Sequence, residues 1–387
     1  MKRFRTQDLN HQSTRKAVIS FKGLSSLSNQ LASNGLLNHN KQIQDKNNHI
    51  GIYVRKEVIN VSMHDVIIIG AGPVGLAAGI TAKRAGLDYI IIEKGVLVNS
   101  IYNFPTFMTW FSYNYELSIA GIPFTINPTR PTREQTLSYY NAVTRSQDLK
   151  IILDQEVIDI NGKDEMFIVL AKKKNGSYER YNTKKVIVAT GYFGNPNMLE
   201  IPGEKNVAIC SHYYIDNHPY VTKKVIIVGA GNSAVETALD LYRAGAAVTL
   251  VHRGPSIKPK VKYWLKPDIE GRIEDGSINA LFNTKVTAIQ EGKVIVEKNG
   301  NTMELEADYT FLLTGYHPDY KFLEKIDLEL NEEGEVTYNP ETCETNRPGV
   351  YTIGSCANGM FLTKVFIKHG RNQAFRAIND IKSKLGA

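Results

Sequence analysis

Apolar residues in this chain fall into two patterns. Short runs at 64–69, 87–93, 185–189, 224–228, 246–251, 309–313 and 349–354 are dominated by β-branched and aliphatic side chains. That is the signature of strands buried on both faces of a parallel sheet. Segments 73–84, 132–147 and 233–244 predict helices, the second with apolar positions three and four apart. Segment 362–385 predicts a closing helix with Phe366, Ala374, Ile378 and Ile381 on one side. Residues 151–172 alternate as strands and lead into a Lys/Asn/Gly hairpin tip at 172–176. Strands and helices in alternation predict an α/β fold built on parallel sheets.

Two of these strand–helix junctions carry glycine-rich loops: Gly70-Ala71-Gly72-Pro73-Val74-Gly75 and Gly229-Ala230-Gly231-Asn232-Ser233-Ala234. In such loops the glycines allow a tight turn, close backbone approach to a pyrophosphate and close strand–helix packing. The helix that follows turns its first N–H groups toward the phosphates. After the first loop, the next strand ends in Glu93, followed by Lys94. A carboxylate there accepts both ribose hydroxyls of an adenosine and repels a 2′-phosphate, so this loop is expected to hold FAD. After the second loop the corresponding strand ends in His252 and Arg253, with no acid. A guanidinium suits a 2′-phosphate through a bidentate contact, so NADPH is expected there. Lys258, Lys260 and Lys262 add positive charge nearby, at least two of them as a solvated face.

Ala189-Thr190-Gly191 and Leu313-Thr314-Gly315 each follow a buried strand near the end of one nucleotide unit. They mark crossings between domains. The expected architecture is therefore two Rossmann-like dinucleotide-binding domains, the NADPH domain (192–315) inserted into an FAD domain made of 63–191 and 316–387. The aromatic stretch at 102–112 falls where a flavin domain lines its ring system.

Charge changes the picture only at the N-terminus. The chain has 387 residues and a net charge of +7. Residues 1–62 hold ten Lys or Arg and three acids, so the remainder balances to zero. Nothing in the globular part speaks for nucleic-acid binding. The basic segment is rich in Asn, Gln and Ser and ends just before Met63. It is expected to be a disordered extension, with Met63 as the functional start. No apolar run is long enough for a transmembrane helix. Cys210, Cys343 and Cys356 are scattered thiols that fit a reducing cytosol. No cluster has metal-ligand spacing, and no metal is expected.

From Met63 onward the chain resembles the YpdA-type bacillithiol disulfide reductase family of thioredoxin-reductase-like flavoproteins. The resemblance rests on the first loop, on Ser211-His212-Tyr213-Tyr214, on Gly231-Asn232-Ser233-Ala234-Val235-Glu236, on Lys262-Tyr263-Trp264 and on Thr314-Gly315-Tyr316-His317-Pro318-Asp319. It implies that NADPH reduces FAD and that the flavin reduces a small-molecule disulfide. Related flavoproteins are often dimers, so a homo-oligomer is one expectation. Two departures stand out. Val74 occupies the place where some members carry a cysteine, and Gly354-Ser355-Cys356 replaces the usual Gly-Asp that holds the flavin ribityl chain.

Thioredoxin reductases need a Cys-x-x-Cys dithiol to carry electrons to their partner, and this chain has none. Cys356 is the one cysteine inside a flavin-domain motif. It is a candidate thiol, against the commoner reading of a buried structural cysteine. His212 is a candidate acid for a leaving thiolate, against the commoner reading of a satisfied structural histidine. A ferredoxin- or flavodoxin-type NADP reductase with a redox-protein partner is the alternative. A flavin monooxygenase and a nucleotide sensor without turnover follow behind it.

Overall fold

A computed structural model describes residues 63–359 and 366–387 in full. Of the earlier segment it describes only a two-strand antiparallel ladder, Ile43–Gln44 against Ile50–Gly51. The other expectations for residues 1–62 lie outside the described residues. The chain divides into two units, 1–59 and 60–387, and the second carries both glycine loops.

The first sheet grows from β1 (Met63–Ile69), which leads through the first glycine loop into α1 (Pro73–Arg84) and β2 (Tyr89–Ile92). β1 is central and parallel to its neighbours, with Ile67 opposite Ile90 on one side and Val186 on the other. Val66 and Ile68 face one core, and Ile67 and Ile69 face the second. The continuous apolar run is thereby explained, because both faces of the strand are dry. Each such isoleucine contributes about 1.5–3 kcal/mol by leaving water.

Helix α2 (Arg133–Ser146) starts where Thr132 caps it: the Thr132 hydroxyl accepts from Gln135 N, and Gln135 Oε1 accepts from Thr132 N. This reciprocal box satisfies two N–H groups that helix formation leaves orphaned. β3 (Ile151–Ile152) adds an edge to β2. An antiparallel ribbon follows: β4 (Gln155–Lys163), β5 (Met166–Lys173) and β6 (Tyr178–Val188). One edge of β6 serves two partners. Its residues 178–183 pair antiparallel with β5, and its residues 186–188 pair parallel with a strand that arrives much later.

Before that strand arrives, the chain builds a second sheet. β7 (Cys210–Ser211), β8 (Lys224–Val228), α3 (Asn232–Arg243), β9 (Ala247–Val251), α4 (Lys266–Glu274) and β10 (Asn279–Leu281) come first. The antiparallel ribbon β11 (Thr284–Gln290), β12 (Lys293–Lys298) and β13 (Asn301–Glu306) comes next, then β14 (Tyr309–Leu312). The parallel strand order is β10-β9-β8-β14-β7. Each half thus repeats one plan: strand, glycine loop, helix, strand, antiparallel ribbon, returning strand. After α5 (Tyr320–Lys325), β15 (Val350–Thr352) rejoins the first sheet beside β6. α6 (Ile367–Leu385) closes the chain. The fold is α/β with two Rossmann-like parallel sheets.

The connections between the halves lie against each other. His317 N donates to Asn195 O at 2.9 Å, Asn197 N to Gly315 O at 2.9 Å, and the Thr314 hydroxyl to Asn197 O at 2.7 Å. The outgoing and returning segments form a short ladder of their own, Pro196 opposite Tyr316.

One expectation on α6 needs correction. Ala374, Ile378 and Ile381 are fully buried as expected. Phe366 is not on that face: it stands at the helix N-cap, 37% exposed, edge-on to Phe111.

Candidate active site

The two loops differ in how tightly they are wound. A Cβ on Gly75 would lie 1.9 Å from the Gly70 carbonyl oxygen, so the sixth position of the first loop admits only glycine. In the second loop that position is Ala234, whose methyl is accommodated in a dry core. Gly72 faces open space, so the backbone of the first loop is free to meet a ligand. Pro73 begins α1 at a position where no N–H is needed.

Beside this loop lies a cavity of about 600 Å³. Its floor is Gly70, Gly72, Pro73 and Val74, with Glu93 and Lys94 at one end. Thr190 and Gly191 form one wall, and Gly354 and Ser355 another. Glu93 is nearly buried and preset: Oε2 accepts from Ala71 N at 2.8 Å, and Oε1 from Gly95 N at 2.9 Å. Phe104 and Trp110 from the aromatic stretch close one side, edge to face at 5.9 Å. Ser211, Tyr213 and Ile215 reach in from the second half. Phe193 bridges the two, 4.8 Å from Phe104 and 5.4 Å from Tyr213. Burial pushes the Tyr192 and Tyr213 phenols up, so both stay neutral around neutral pH. Tyr213 donates to Phe193 O at 3.2 Å.

Val74 packs its methyls between two glycines. They lie 3.4–3.5 Å from where a Gly354 Cβ would be, and 2.5 Å from a Gly370 Cβ. The valine therefore fills the space between the start of α1 and the Gly354 turn. Buried Gln373 holds that turn from behind: its Oε1 accepts from Gly354 N at 2.8 Å, and its Nε2 donates to the Tyr338 hydroxyl at 3.3 Å. Nothing in the sequence marked Gln373, since an isolated glutamine in a helix has no motif.

The second loop is organised separately, and none of its residues line this cavity. Gly229 and Gly231 form the turn, and Gly231 caps α3. Ser233 is exposed in its first turn. A lysine-bearing segment folds across the loop: Lys258 N donates to Ala230 O at 3.1 Å, and Lys262 N donates to Asn232 Oδ1 at 2.9 Å. Lys262 is neutralised by Glu236 at 2.5 Å. Lys258, Lys260 and Arg253 are exposed and without an ion-pair partner among the described residues. Burial, then the charges of Lys258 and Arg253, lower the pKa of His252. This edge thus gathers uncompensated positive charge.

Thr314 and Gly315 do not reach the cavity; they hold the crossing ladder described above. The two candidate catalytic side chains are also placed elsewhere. Cys356 is fully buried, its sulfur within 3.2–3.5 Å of Ile353 O, Val188 O and the Thr352 hydroxyl. A thiol packed into the core has no path to a disulfide. Its neighbour Ser355 takes the cavity position. His212 is 8% exposed, with Nδ1 3.1 Å from Leu312 O and Nε2 3.3 Å from Glu204. Burial, opposed by Glu204, pushes its pKa down. Neither side chain lines the cavity. Cys210 and Cys343 are buried too, and burial raises the Cys343 thiol to about 11. Among the described residues, no group of side chains could hold a metal ion.

Paired glycine loops, each at the end of a parallel strand, with a shared cavity at the first, define a flavin- and nicotinamide-dependent oxidoreductase. The chain belongs to the pyridine nucleotide-disulphide oxidoreductase family, whose model matches residues 67–354. It is 38% identical to the bacilliredoxin reductase Bdr of Bacillus subtilis, over 79% of this chain and 93% of that protein. The solved bacillithiol disulfide reductase Bdr (YpdA) from Bacillus cereus superposes with a TM-score of 0.80 at 36% identity, covering 84% of this chain and all of that one. The Staphylococcus aureus counterpart gives 0.78 at 37% identity, covering 84% and 99%.

Proposed function

We propose that this protein uses NADPH and FAD to reduce the disulfide of a low-molecular-weight thiol of the bacillithiol type. Residues 63–191 and 316–387 would form the FAD half and 192–315 the NADPH half, with 1–62 as a basic extension. The residues fit FAD: an open glycine loop, a preset Glu93 for the adenosine ribose, and an aromatic wall. Bound there, FAD would take a hydride from the nicotinamide and give two electrons to a disulfide, which takes up two protons and leaves as two thiols.

The observation that carries this reading is the cavity's composition. It joins the first loop to Ser211 and Tyr213 of the second half, and none of the three cysteines lines it. No protein dithiol intervenes, so the acceptor must enter the cavity itself. Phe104, Trp110 and Phe193 would exclude water there, while Ser211 and Ser355 offer hydroxyls to orient the acceptor. Arg253 would hold the 2′-phosphate of NADPH, with the exposed Lys258 and Lys260 adding positive charge nearby. Three buried, unpaired thiols suit the reducing cytosol. The relatives whose names describe bacilliredoxin and bacillithiol disulfide reduction support this acceptor over the one-electron carrier and the oxygenase readings.

The test is anaerobic reduction of the purified yellow protein by NADPH, followed by parallel reoxidation with bacillithiol disulfide, cystine, oxidised glutathione and ferredoxin. Bacillithiol disulfide should restore the oxidised spectrum and yield two thiols per flavin. Reoxidation by ferredoxin alone would refute the proposal.

A further inference from the structure

A second cavity, of about 680 Å³, lies between α1 and α6. α1 contributes Ala77, Thr81, Arg84 and Ala85, small or polar positions three and four apart. From α6 come Arg371, Asn372, Phe375, Asn379 and Lys382, again one helical stripe. The turn at Ser118–Gly121 closes one end, and no acid lines the groove.

The cations are held in place. Arg84 Nη1 donates to Ala120 O at 2.7 Å, and Arg371 Nη1 donates to Ser118 O at 2.6 Å. Each guanidinium is pinned by that nitrogen and keeps its other N–H groups for a ligand. The Lys382 ammonium has no ion-pair or hydrogen-bond partner among the described residues. The acid whose field reaches Arg371, Glu116, is already matched by Lys368 at 2.7 Å. Phe375 stands 57% exposed amid these polar groups.

We propose that this groove is a second ligand site, for a small anion carrying several negative charges. Charge selects the occupant. The chain's own first 62 residues bring ten bases against three acids and offer no net negative charge. A second copy presenting the same face would set three cations against three. A polyphosphate or polycarboxylate meets the charge, and Phe375 gives a nucleotide base a ring to stack on. The placement ties the site to the cofactor: Pro73 at the start of α1 and Ile367 at the start of α6 both line the first cavity. An anion bridging the two helices would fix the relation of their first turns.

The experiment is calorimetric titration of the FAD-loaded protein with inorganic pyrophosphate, citrate and ADP, the second glycine loop being kept saturated with NADP+. At least one probe should bind at a single site. The double substitution Arg84→Ala, Lys382→Ala should weaken that binding tenfold or more, while Arg253→Ala leaves it unchanged. If ADP binds more tightly than pyrophosphate and Phe375→Ala removes the difference, the ligand is a nucleotide. Equal affinities assign the site to the phosphates or carboxylates alone. Failure of all three probes at millimolar concentration would overturn the proposal, as would binding indifferent to the double substitution. Neither result bears on disulfide reduction, which is read by flavin reoxidation.

Discussion

Gln373 and Gly354 share a buried hydrogen bond of 2.8 Å, from the glycine N–H to the glutamine Oε1. The bond satisfies an N–H that has no water to turn to. Replacing Gln373 with leucine leaves that donor unpaired, at a cost of about 1–3 kcal/mol. The expected outcome is a lower melting temperature and a lower flavin-to-protein absorbance ratio after purification. Gln373→Glu should retain more flavin than the leucine variant, since a carboxylate still accepts. Equal flavin content in wild type and Gln373→Leu would remove the glutamine from any positioning role.

The sixth positions of the two loops should respond oppositely to exchange. Gly75→Ala drives a methyl into the Gly70 carbonyl oxygen, so the strand–helix junction must shift, and the protein should be isolated without flavin or not folded. Ala234→Gly deletes a buried methyl and costs about 1 kcal/mol. Flavin content measured on both variants checks the asymmetry.

Arg253 is exposed and unpaired at the end of β9. Removing it as Arg253→Ala should raise KM for NADPH about tenfold or more, the loss of one charge-assisted contact of about 1.5–3 kcal/mol. kcat and the KM for NADH should stay near their wild-type values. Steady-state rates with both nucleotides supply the comparison, and an unchanged preference would break the assignment of the second loop.

Burial depresses the His212 pKa, with Glu204 opposing. The folded state therefore favours the neutral ring, and the unfolded chain binds a proton more readily. The stability this gives is fully present only above the unfolded value of about 6.5 and is lost as pH falls from there through the depressed folded value. Melting curves across the mildly acidic range should show a shallower pH dependence for His212→Gln than for the wild type. NADPH-driven disulfide reduction by this variant should persist, because the side chain does not line the cavity.

Cys356 tests whether a protein thiol takes part at all. Its sulfur is enclosed, so Cys356→Ala should reduce disulfide at a rate within about twofold of wild type, which is under 1 kcal/mol in barrier. The core should lose about 1 kcal/mol of stability for the missing sulfur. Loss of turnover with flavin content intact would restore the thiol to the mechanism.

Much of this architecture was legible because it is local. The apolar run of β1, the helix after Thr132 and both glycine loops are written in consecutive residues, and the structure places each where the pattern puts it. The two Thr-Gly segments stood out in the sequence, but nothing marked that Asn195 and Asn197 bond to His317, Gly315 and Thr314. What remained hidden depends on juxtaposition. Gln373 meets Gly354 only after α6 docks on β15, and Lys258 reaches Ala230 only when its segment doubles back over the loop. The antiparallel ribbon β11–β13 escaped because its strands are polar on one face and carry no motif. Phe366 and Cys356 each sit in a suggestive stretch, but one turns to the surface and the other into the core, the commoner reading for a cysteine.

The ladder between Asn195–Asn197 and Gly315–His317 has a consequence for modularity. Departure and return are separated by a whole parallel sheet along the chain, yet they lie within hydrogen-bonding distance in space. The segment that builds the second sheet is therefore joined covalently to the first at one place, although Ser211, Tyr213 and Ile215 also touch the first cavity. Excising it needs only a linker of a residue or two to rejoin the host fold, and a foreign domain with adjacent termini could be grafted onto the same stump.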